Sequence, residues 1–266
     1  MSSASVDLSY DLSEDLVPGP WRRDSVFVFW RSEQAVQQAA NGAHRGCLLD
    51  AACGSADQAG RFQEQGWQSW GLEPSPGMLR LARLRREQRG QSVVLVRGIA
   101  EELPFSADSF DCVVCQGSLD HFVQPRAFMA EVARILKPDG RAIIAIANFE
   151  SLSCRLGRSL YRAKRLLNMP VMEGRAYWQP PPNHTFKGDL AILRGLARPW
   201  LRLERCHGVS VLWLFRRWSL FVESLPEEVA WALLRTLDRI AYRAPSFSDM
   251  IVSVWRPDKS ALGSQA

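Results

Sequence analysis

Three short stretches of this sequence bring together residues that can do chemistry. The first is Leu48-Leu49-Asp50-Ala51-Ala52-Cys53-Gly54-Ser55-Ala56-Asp57, an apolar run that closes in an acid and a series of small residues. Small residues after a buried strand let the backbone approach a ligand closely at a helix N-terminus. About 20 residues later, Gly71-Leu72-Glu73-Pro74 ends a second apolar run in another acid. A carboxylate at that place can accept hydrogen bonds from both hydroxyls of a ribose. The bland alternative is a tight turn followed by a surface Glu. The third stretch is Leu119-Asp120-His121-Phe122. The ordinary pKa of an imidazole suits proton transfer near neutrality, so His121 is a candidate general base, against a packing or capping role.

Further along, Asn183-His184-Thr185-Phe186 stands just before a helical pattern. His184 is a candidate substrate contact there, although polar residues at helix starts are commonly caps. Tyr177 and Trp178 can form an aromatic wall that stabilises a cation, or ordinary core. His44 and His207 have no motif around them and read as structural. Cys53 fits its loop for its small size, not as a nucleophile. Cys112 and Cys115 form a C-x-x-C, but in a strand positions three apart point to opposite faces, so no shared metal or disulfide is expected. No metal site is expected anywhere in the chain.

The elements that must position these residues follow from hydrophobic periodicity. From Cys47 the chain alternates short apolar runs with helical patterns, the signature of a parallel sheet covered on both faces. Strands are expected at Cys47–Asp50, Gln68–Leu72, Ser92–Val96, Phe110–Cys115 and Arg141–Ala147. Helices are expected at Ser55–Gln65, Ser75–Gln88 and Pro125–Leu136, with a turn at Lys137–Gly140. The region 149–187 reads as irregular and rich in Pro, Arg and aromatics. Gly188–Ala197 and Pro226–Tyr242 read as helical, Leu201–Phe215 as strand-like, and Ser248–Arg256 as a closing strand. The chain therefore divides into an N-terminal cap (1–45), a cofactor-binding core (46–148), a substrate-covering segment that also completes the sheet (149–256) and a flexible tail (257–266).

Composition sets outer bounds. The 266 residues are 47% hydrophobic and 23% charged, ordinary for a globular chain that buries an ample core. The net charge of +5 is compatible with an anionic partner without requiring one. Only four basic residues are Lys, and the Arg-rich pattern at Arg80, Arg83, Arg85, Arg86 and Arg89 reads as a solvated helix face rather than an RNA site. The polar, acidic start lacks the pattern of a signal peptide, and the scattered cysteines suit a reduced compartment, so a cytoplasmic location is expected. The apolar stretch Val209–Val222, interrupted by Arg216-Arg217, is too short to span a bilayer, but its part 211–221 could rest on a membrane surface.

In its middle third the chain resembles the class I S-adenosylmethionine-dependent methyltransferases, and among them the small-molecule group called type 11. The resemblance runs from Cys47 to Asn148. It is carried by Leu49–Gly54, by Gly71–Leu79, by Ala100-Glu101-Glu102-Leu103-Pro104-Phe105, by Ser109-Phe110-Asp111, by Leu119–Phe122 and by Arg134–Gly140, all in order. Weaker echoes stand at Asn183–Phe186 and Ser248–Val254. It implies an α/β fold: a doubly wound, mostly parallel seven-stranded Rossmann-like sheet with an N-terminal helical cap and an inserted substrate-covering segment. It also implies an S-adenosylmethionine site formed by Asp50, Ala51, Ala52, Gly54, Glu73, Pro74, Met78, Ile99, Ala100, Gln116 and Gly117. In that reading the Ala51–Gly54 backbone holds the methionine part and Glu73 the ribose, Met78, Ile99 and Ala100 line the adenine, and Gln116 follows the fourth strand.

Two departures stand out. Ala52 and Ala56 replace glycines of the family loop, which an Ala tolerates when its φ is negative. Ile99 replaces the usual acid before Ala100-Glu101. The expected activity is methyl transfer to a small, apolar or aromatic acceptor by in-line displacement, with His121, Tyr177 and His184 as catalytic candidates. The aromatics Trp21, Phe27, Phe29 and Trp30 of the cap, with Phe149, Tyr161, Tyr177, Trp178 and Phe186, are expected to cover the acceptor, with Asn148, Asn183 and His184 as its polar contacts; a second small core under the cap is the competing account. Other uses of the cofactor (intramolecular cyclisation, aminocarboxypropyl transfer) and a non-catalytic cofactor-binding role remain alternatives. A nicotinamide oxidoreductase is disfavoured because the loop lacks G-x-G-x-x-G. No nucleic-acid partner is expected, and the sequence leaves the oligomeric state open.

Overall fold

The computed structural model describes residues 22–41, 45–171 and 174–258. Trp21, His44 and the tail from 259 lie outside those residues. The chain begins with helix α1 (Arg23–Ala40), then alternates β1 (Cys47–Ala51), α2 (Asp57–Glu64), β2 (Gln68–Glu73), α3 (Pro76–Gln88), β3 (Val94–Arg97) and β4 (Phe110–Gln116). A single 3-10 turn (Leu119–His121) precedes α4 (Pro125–Ile135) and β5 (Leu136–Ala147). Then come α5 (Leu152–Leu166), α6 (Leu190–Ala197), β6 (Leu201–Val209), α7 (Arg216–Ser224), α8 (Glu227–Arg243) and β7 (Met250–Pro257).

The seven strands form one sheet in the order β3-β2-β1-β4-β5-β7-β6. The first five run parallel, and β7 is antiparallel to both neighbours, β5 and β6. The order reverses between β1 and β4, so a crevice opens beyond the carboxyl ends of those two strands. The expected turn at Lys137–Gly140 is a bulge: Phe110 pairs with Leu136 and Cys112 already with Arg141.

Because strand side chains alternate, each face of the sheet makes its own core. On one face Leu49, Val113, Cys115, Ile144 and Ile146 pack with Phe128, Met129 and Val132 of α4 and Leu193 of α6. On the other, Leu48, Cys112, Val114, Ile143 and Val252 pack with Val28, Ala35 and Val36 of α1 and Phe62 of α2. Cys112 and Cys115 thus face opposite sides, as the strand period requires. Burial pushes the Cys112 thiol up to about 12 and Cys115 higher still.

Four expectations are corrected. The region 149–187 is not irregular throughout, since it contains α5; that helix buries only Ser153, Cys154 and Gly157, which leave little hydrophobic signal. The strand expected at Leu201–Phe215 stops at Val209, because Ser210, Leu212 and Leu214 take positive φ and turn the chain. The later part of the segment expected to cover the substrate (149–256) packs on the cap: Val222 of α7 and Ala230 and Leu234 of α8 lie against Phe27 of α1. The cap aromatics therefore build a small second core, with Phe27, Trp30 and Trp231 in mutual contact at 5.5–5.9 Å and Phe29 edge-on to Trp213. A buried carboxylate ties it together: Asp24 accepts a hydrogen bond from the Ser219 hydroxyl at 2.5 Å.

Candidate functional site

The loop after β1 is fixed by its backbone. Ala52, Gly54 and Ala56 all take φ between 53° and 59°, the left-handed region. The two alanines thus adopt this conformation at a cost of about 1–2 kcal/mol each for an L side chain. The Cys53 N–H donates to the Leu72 carbonyl at 2.9 Å and holds the loop against β2. Gly71 makes room for Cys53, since a Cβ there would lie 2.7 Å from Sγ.

Glu73 binds this loop from the other side. One carboxylate oxygen accepts from the Gly54 N–H at 3.0 Å and the other from the Ser75 N–H at 2.9 Å. Burial raises its pKa, and the two backbone donors pull it back. Each oxygen keeps a second lone pair, so two further hydroxyl donors can be accepted. Beside it, Ser75 caps α3 by accepting from the Met78 N–H at 3.3 Å, which sets Met78 in the first buried turn.

Asp50, at the end of β1, is buried, and its Oδ2 has no hydrogen-bond partner among the described residues. Burial pushes its carboxyl up to about 7, against the Ala59 N–H that lowers it and with the Glu73 charge that raises it further. A buried carboxyl with an orphaned oxygen calls for a cationic or donor group from a ligand. Between these groups and the next loop lies a small, mainly apolar cavity, lined by Ala52, Leu72, Pro74, Ile99, Ala100, Glu101, His121 and Phe122. Gln116, at the end of β4, accepts from the Gln58 side chain at 2.9 Å and donates to Ser32 of α1 at 3.4 Å. Gly117 takes a φ of 68° where the chain leaves the sheet.

The described residues therefore fit the cofactor expected from the sequence: a turned-in loop at Ala51–Gly54, an orphaned acid at Asp50, an acid with spare lone pairs at Glu73, and apolar walls at Pro74, Ile99 and Ala100.

Next to the cavity is a cluster of titratable groups. The Thr185 N–H donates to the Asp120 carbonyl at 2.7 Å, and its hydroxyl to the same oxygen at 3.2 Å. This staple docks the 183–186 segment on the 3-10 turn and brings His184 Nδ1 to 3.0 Å from Asp120 Oδ2. Burial disfavours the Asp120 carboxylate, but His184 and His121 more than offset that and hold it below the usual carboxylate range. His121 meets His184 edge-on at 4.6 Å, and Phe149 closes the other side of His184 at 5.9 Å. Asp120, His121 and His184 each offer one ligand atom, all within 4.8 Å of one another.

The remaining candidates are engaged elsewhere. The Tyr177 hydroxyl donates to the Ser153 carbonyl at 2.7 Å, and burial pushes it up to about 12, so it stays protonated at neutral pH. Trp178 stacks edge-on between Tyr177 and Tyr161. Asn148 is used up by the fold: its amide donates to the Ser248 carbonyl at 2.8 Å and its oxygen accepts from the Glu150 N–H. Asn183 is exposed. His207 stacks on Tyr242, and burial drives it down to about 4, which agrees with a structural role. Asp120 is the residue whose importance the sequence reading missed. Its partner His184 is brought in by the Thr185 staple, 65 positions further along the chain, and no local pattern announces it.

With the geometry in place, similarity to known proteins adds a class. Residues 49–144 match the family model described as a methyltransferase domain. An uncharacterized methyltransferase of Bacillus subtilis, YcgJ, is 34% identical over 98 residues, which cover 36% of this chain and 39% of the relative. A ubiquinone/menaquinone biosynthesis C-methyltransferase of Cupriavidus taiwanensis, UbiE, is 29% identical over 53% of this chain and 56% of its own length. A demethylmenaquinone methyltransferase of Renibacterium salmoninarum is 27% identical over 64% of this chain and 67% of its own. The chain thus spans about half the length of the curated relatives it matches. Among solved structures, a protein of Pyrococcus horikoshii superposes with a TM-score of 0.57 at 19% identity, over 88% of this chain and 92% of that one. The structure of the Bacillus YcgJ protein gives 0.53 at 18% identity, over 86% and 98%. These likenesses place the sheet among the Rossmann-like class I methyltransferase folds.

Proposed function

With a type 11 methyltransferase domain spanning residues 49–144 as premise, we propose that the chain transfers a methyl group from S-adenosylmethionine to a small, largely apolar acceptor. The observation that supports this best is the fit of the loop, acid and cavity to that cofactor. Bound there, the cofactor supplies an electrophilic methyl group on a sulfonium. The chain's part is to bind and orient it. Glu73 takes the ribose hydroxyls, Asp50 faces the charged end, Ile99 and Ala100 hold the base by apolar contact, and Gln116 and Gly117 shape the crevice floor. Much of the rate in such a displacement comes from proximity and alignment.

His184 is the base in this reading. Asp120 orients it through the 3.0 Å contact, and His121, between His184 and the cavity, positions the acceptor or passes on its proton. An apolar acceptor is supported by Phe122 and Phe149 beside the pair, and by two relatives whose names refer to quinones.

Titration calorimetry with S-adenosylmethionine, followed by product analysis with quinone-like and phenolic acceptors, tests the proposal. S-adenosylhomocysteine as product supports it. Methylthioadenosine instead points to cyclisation or aminocarboxypropyl transfer, and binding without turnover to a non-catalytic role. One further reading rests on the geometry of Asp120, His121 and His184, which can also chelate a divalent cation. Turnover that survives dialysis against EDTA favours the proton-handling role.

A further inference from the structure

Helix α5 leaves the site and carries an unusual surface away from it. It starts at Ser151, whose hydroxyl accepts from the Cys154 N–H, two residues after Phe149 packs against His184. Its buried side is short and small: Ser153, Cys154 and Gly157. Gly157 lets Tyr177 and Trp178 lie directly on the helix, since a Cβ there would come within 2.4 Å of the Tyr177 hydroxyl. Beyond Tyr161 every residue from Arg162 to Pro170 is exposed.

What it exposes is strongly two-sided. Leu156, Leu160 and the C-capping Leu167 fall within about 40° of one another on a helical wheel of 100° per residue. They are 38%, 50% and 70% exposed; Leu166 and Met169 beside them are 85% and 49% exposed. On the same wheel Arg155, Arg158, Arg162 and Arg165 form a second stripe roughly 100–180° away, and Lys164 adds a fifth cation nearer the leucines. No residue of the helix is acidic. Arg155 and Arg158, near the base, pair with Glu150, whereas Arg162, Lys164 and Arg165 make no ion pair among the described residues. Arg158, Arg162, Arg165, Tyr161 and Trp178 also line a cleft on the helix flank.

We propose that α5 is a docking surface for an anionic lipid bilayer. Its leucines enter the boundary between headgroups and acyl chains, and its cations meet the lipid phosphates. An apolar stripe on one side and a basic stripe on the other, on a helix too short to span, is the pattern that lies in the plane of a membrane interface. At about 1.5 Å per residue the helix is roughly 22 Å long, so it cannot cross the hydrocarbon core of about 30 Å. Charge complementarity selects this occupant. A second copy of the chain would set one row of cations against another, and a nucleic acid would give the leucines no partner. The segment 211–221 is the weaker candidate: Val211, Trp213 and Ser219 are buried, which leaves Leu220 and Phe221 as its exposed large apolar side chains.

Co-sedimentation of the full chain with phosphatidylcholine vesicles, with or without about 30% phosphatidylglycerol, tests this. Binding to the anionic vesicles should be at least about tenfold tighter and should fall as salt rises from roughly 0.05 to 0.5 M. Each surface cation contributes about a fivefold factor, so Arg162→Gln, Lys164→Gln and Arg165→Gln together should weaken binding about a hundredfold. Leu166→Gln with Leu167→Gln should weaken it at least about tenfold, while Leu220→Gln with Phe221→Gln leaves it unchanged. All seven positions are exposed, and coincident thermal unfolding confirms that the variants fold. No partition onto anionic vesicles at low salt overturns the proposal. So does binding that survives the cation or leucine variants but is lost in the Leu220 and Phe221 variant. A leucine effect seen only as loss of self-association, without any vesicle binding, assigns the stripe to a second copy and also overturns it.

Discussion

Replacing Glu73 by Ala removes one carboxylate that serves two structures at once. The side chain now accepts from the Gly54 and Ser75 N–H groups at 3.0 and 2.9 Å. Hydrogen bonds to a charged acceptor contribute about 1.5–3 kcal/mol each, and water entering from the cavity side restores part of that. The variant should lose about 2–4 kcal/mol of stability, which lowers Tm by roughly 4–12 °C. Cofactor affinity should fall at least about tenfold, because two ribose hydroxyls lose their acceptor. Loop damage and ribose recognition can be separated with S-adenosylhomocysteine and its 2′-deoxy analogue. In the original protein the analogue should bind distinctly more weakly by calorimetry. In Glu73→Ala the two ligands should bind alike. If the preference for the hydroxyl survives unchanged in the variant, or affinity does not fall at all, Glu73 only holds the loop and the ribose assignment is wrong.

Three other outcomes follow from the same geometry. His184→Ala and Asp120→Asn should each lower turnover about 10²-fold or more while cofactor affinity stays within about threefold; an undiminished rate in either would make the pair a structural clasp. Asp50 and Asp249, both buried, have carboxyls raised to about 7, so they take up protons on folding and lose stability as pH rises from about 4 towards 7. His207, lowered to about 4, works the other way between about 6.5 and 4. The net effect is stability about 1–2 kcal/mol higher at pH 6 than at pH 8 in urea titrations, with roughly half of the rise absent in Asp50→Asn; a flat profile contradicts it. Ala52→Gly and Ala56→Gly, which relieve left-handed backbone, should each raise stability by roughly 0.5–1 kcal/mol, and a loss in either shows that the loop is not strained there.

What the sequence made legible was local. The β1 to β5 run could be read because each strand is a buried apolar stretch followed by a helix with a clear stripe, and because the loop and acid lie about 20 residues apart on consecutive strands. Boundaries shifted by one or two residues, as at β2, which extends to Glu73, except at β5, which starts at Leu136 rather than Arg141. The failures have physical reasons. Helix α5 hides its inner face in Ser153, Cys154 and Gly157, so periodicity saw only arginines and leucines. The end of β6 was missed because Leu212 and Leu214 turn the chain without a glycine to mark it. The sequence left the φ of Ala52 and Ala56 open, because an alanine gives no warning of positive φ. The cap aromatics looked like a pocket lid, but only the pairing of α1 with α7 and α8 decides where they go. Asp120 was read as a neighbour of His121, while its working partner is a histidine that only the tertiary fold supplies.

The position of β7 bears on how the chain is made. It is the last strand in sequence, yet it lies between β5 and β6 and bonds to both. On the ribosome, a nascent chain that stops before Met250 therefore holds two finished strands with a strand-wide slot between them, each showing an unpaired edge. Trp255 and Val252, two of the most deeply buried side chains, arrive only with that final segment. The parallel half of the sheet, with its loop and acid, can assemble before β7 is made, but the slot between β5 and β6 closes only once β7 has emerged. Loss of β7 through a frameshift or a proteolytic cut would leave a slot that accepts any passing extended segment.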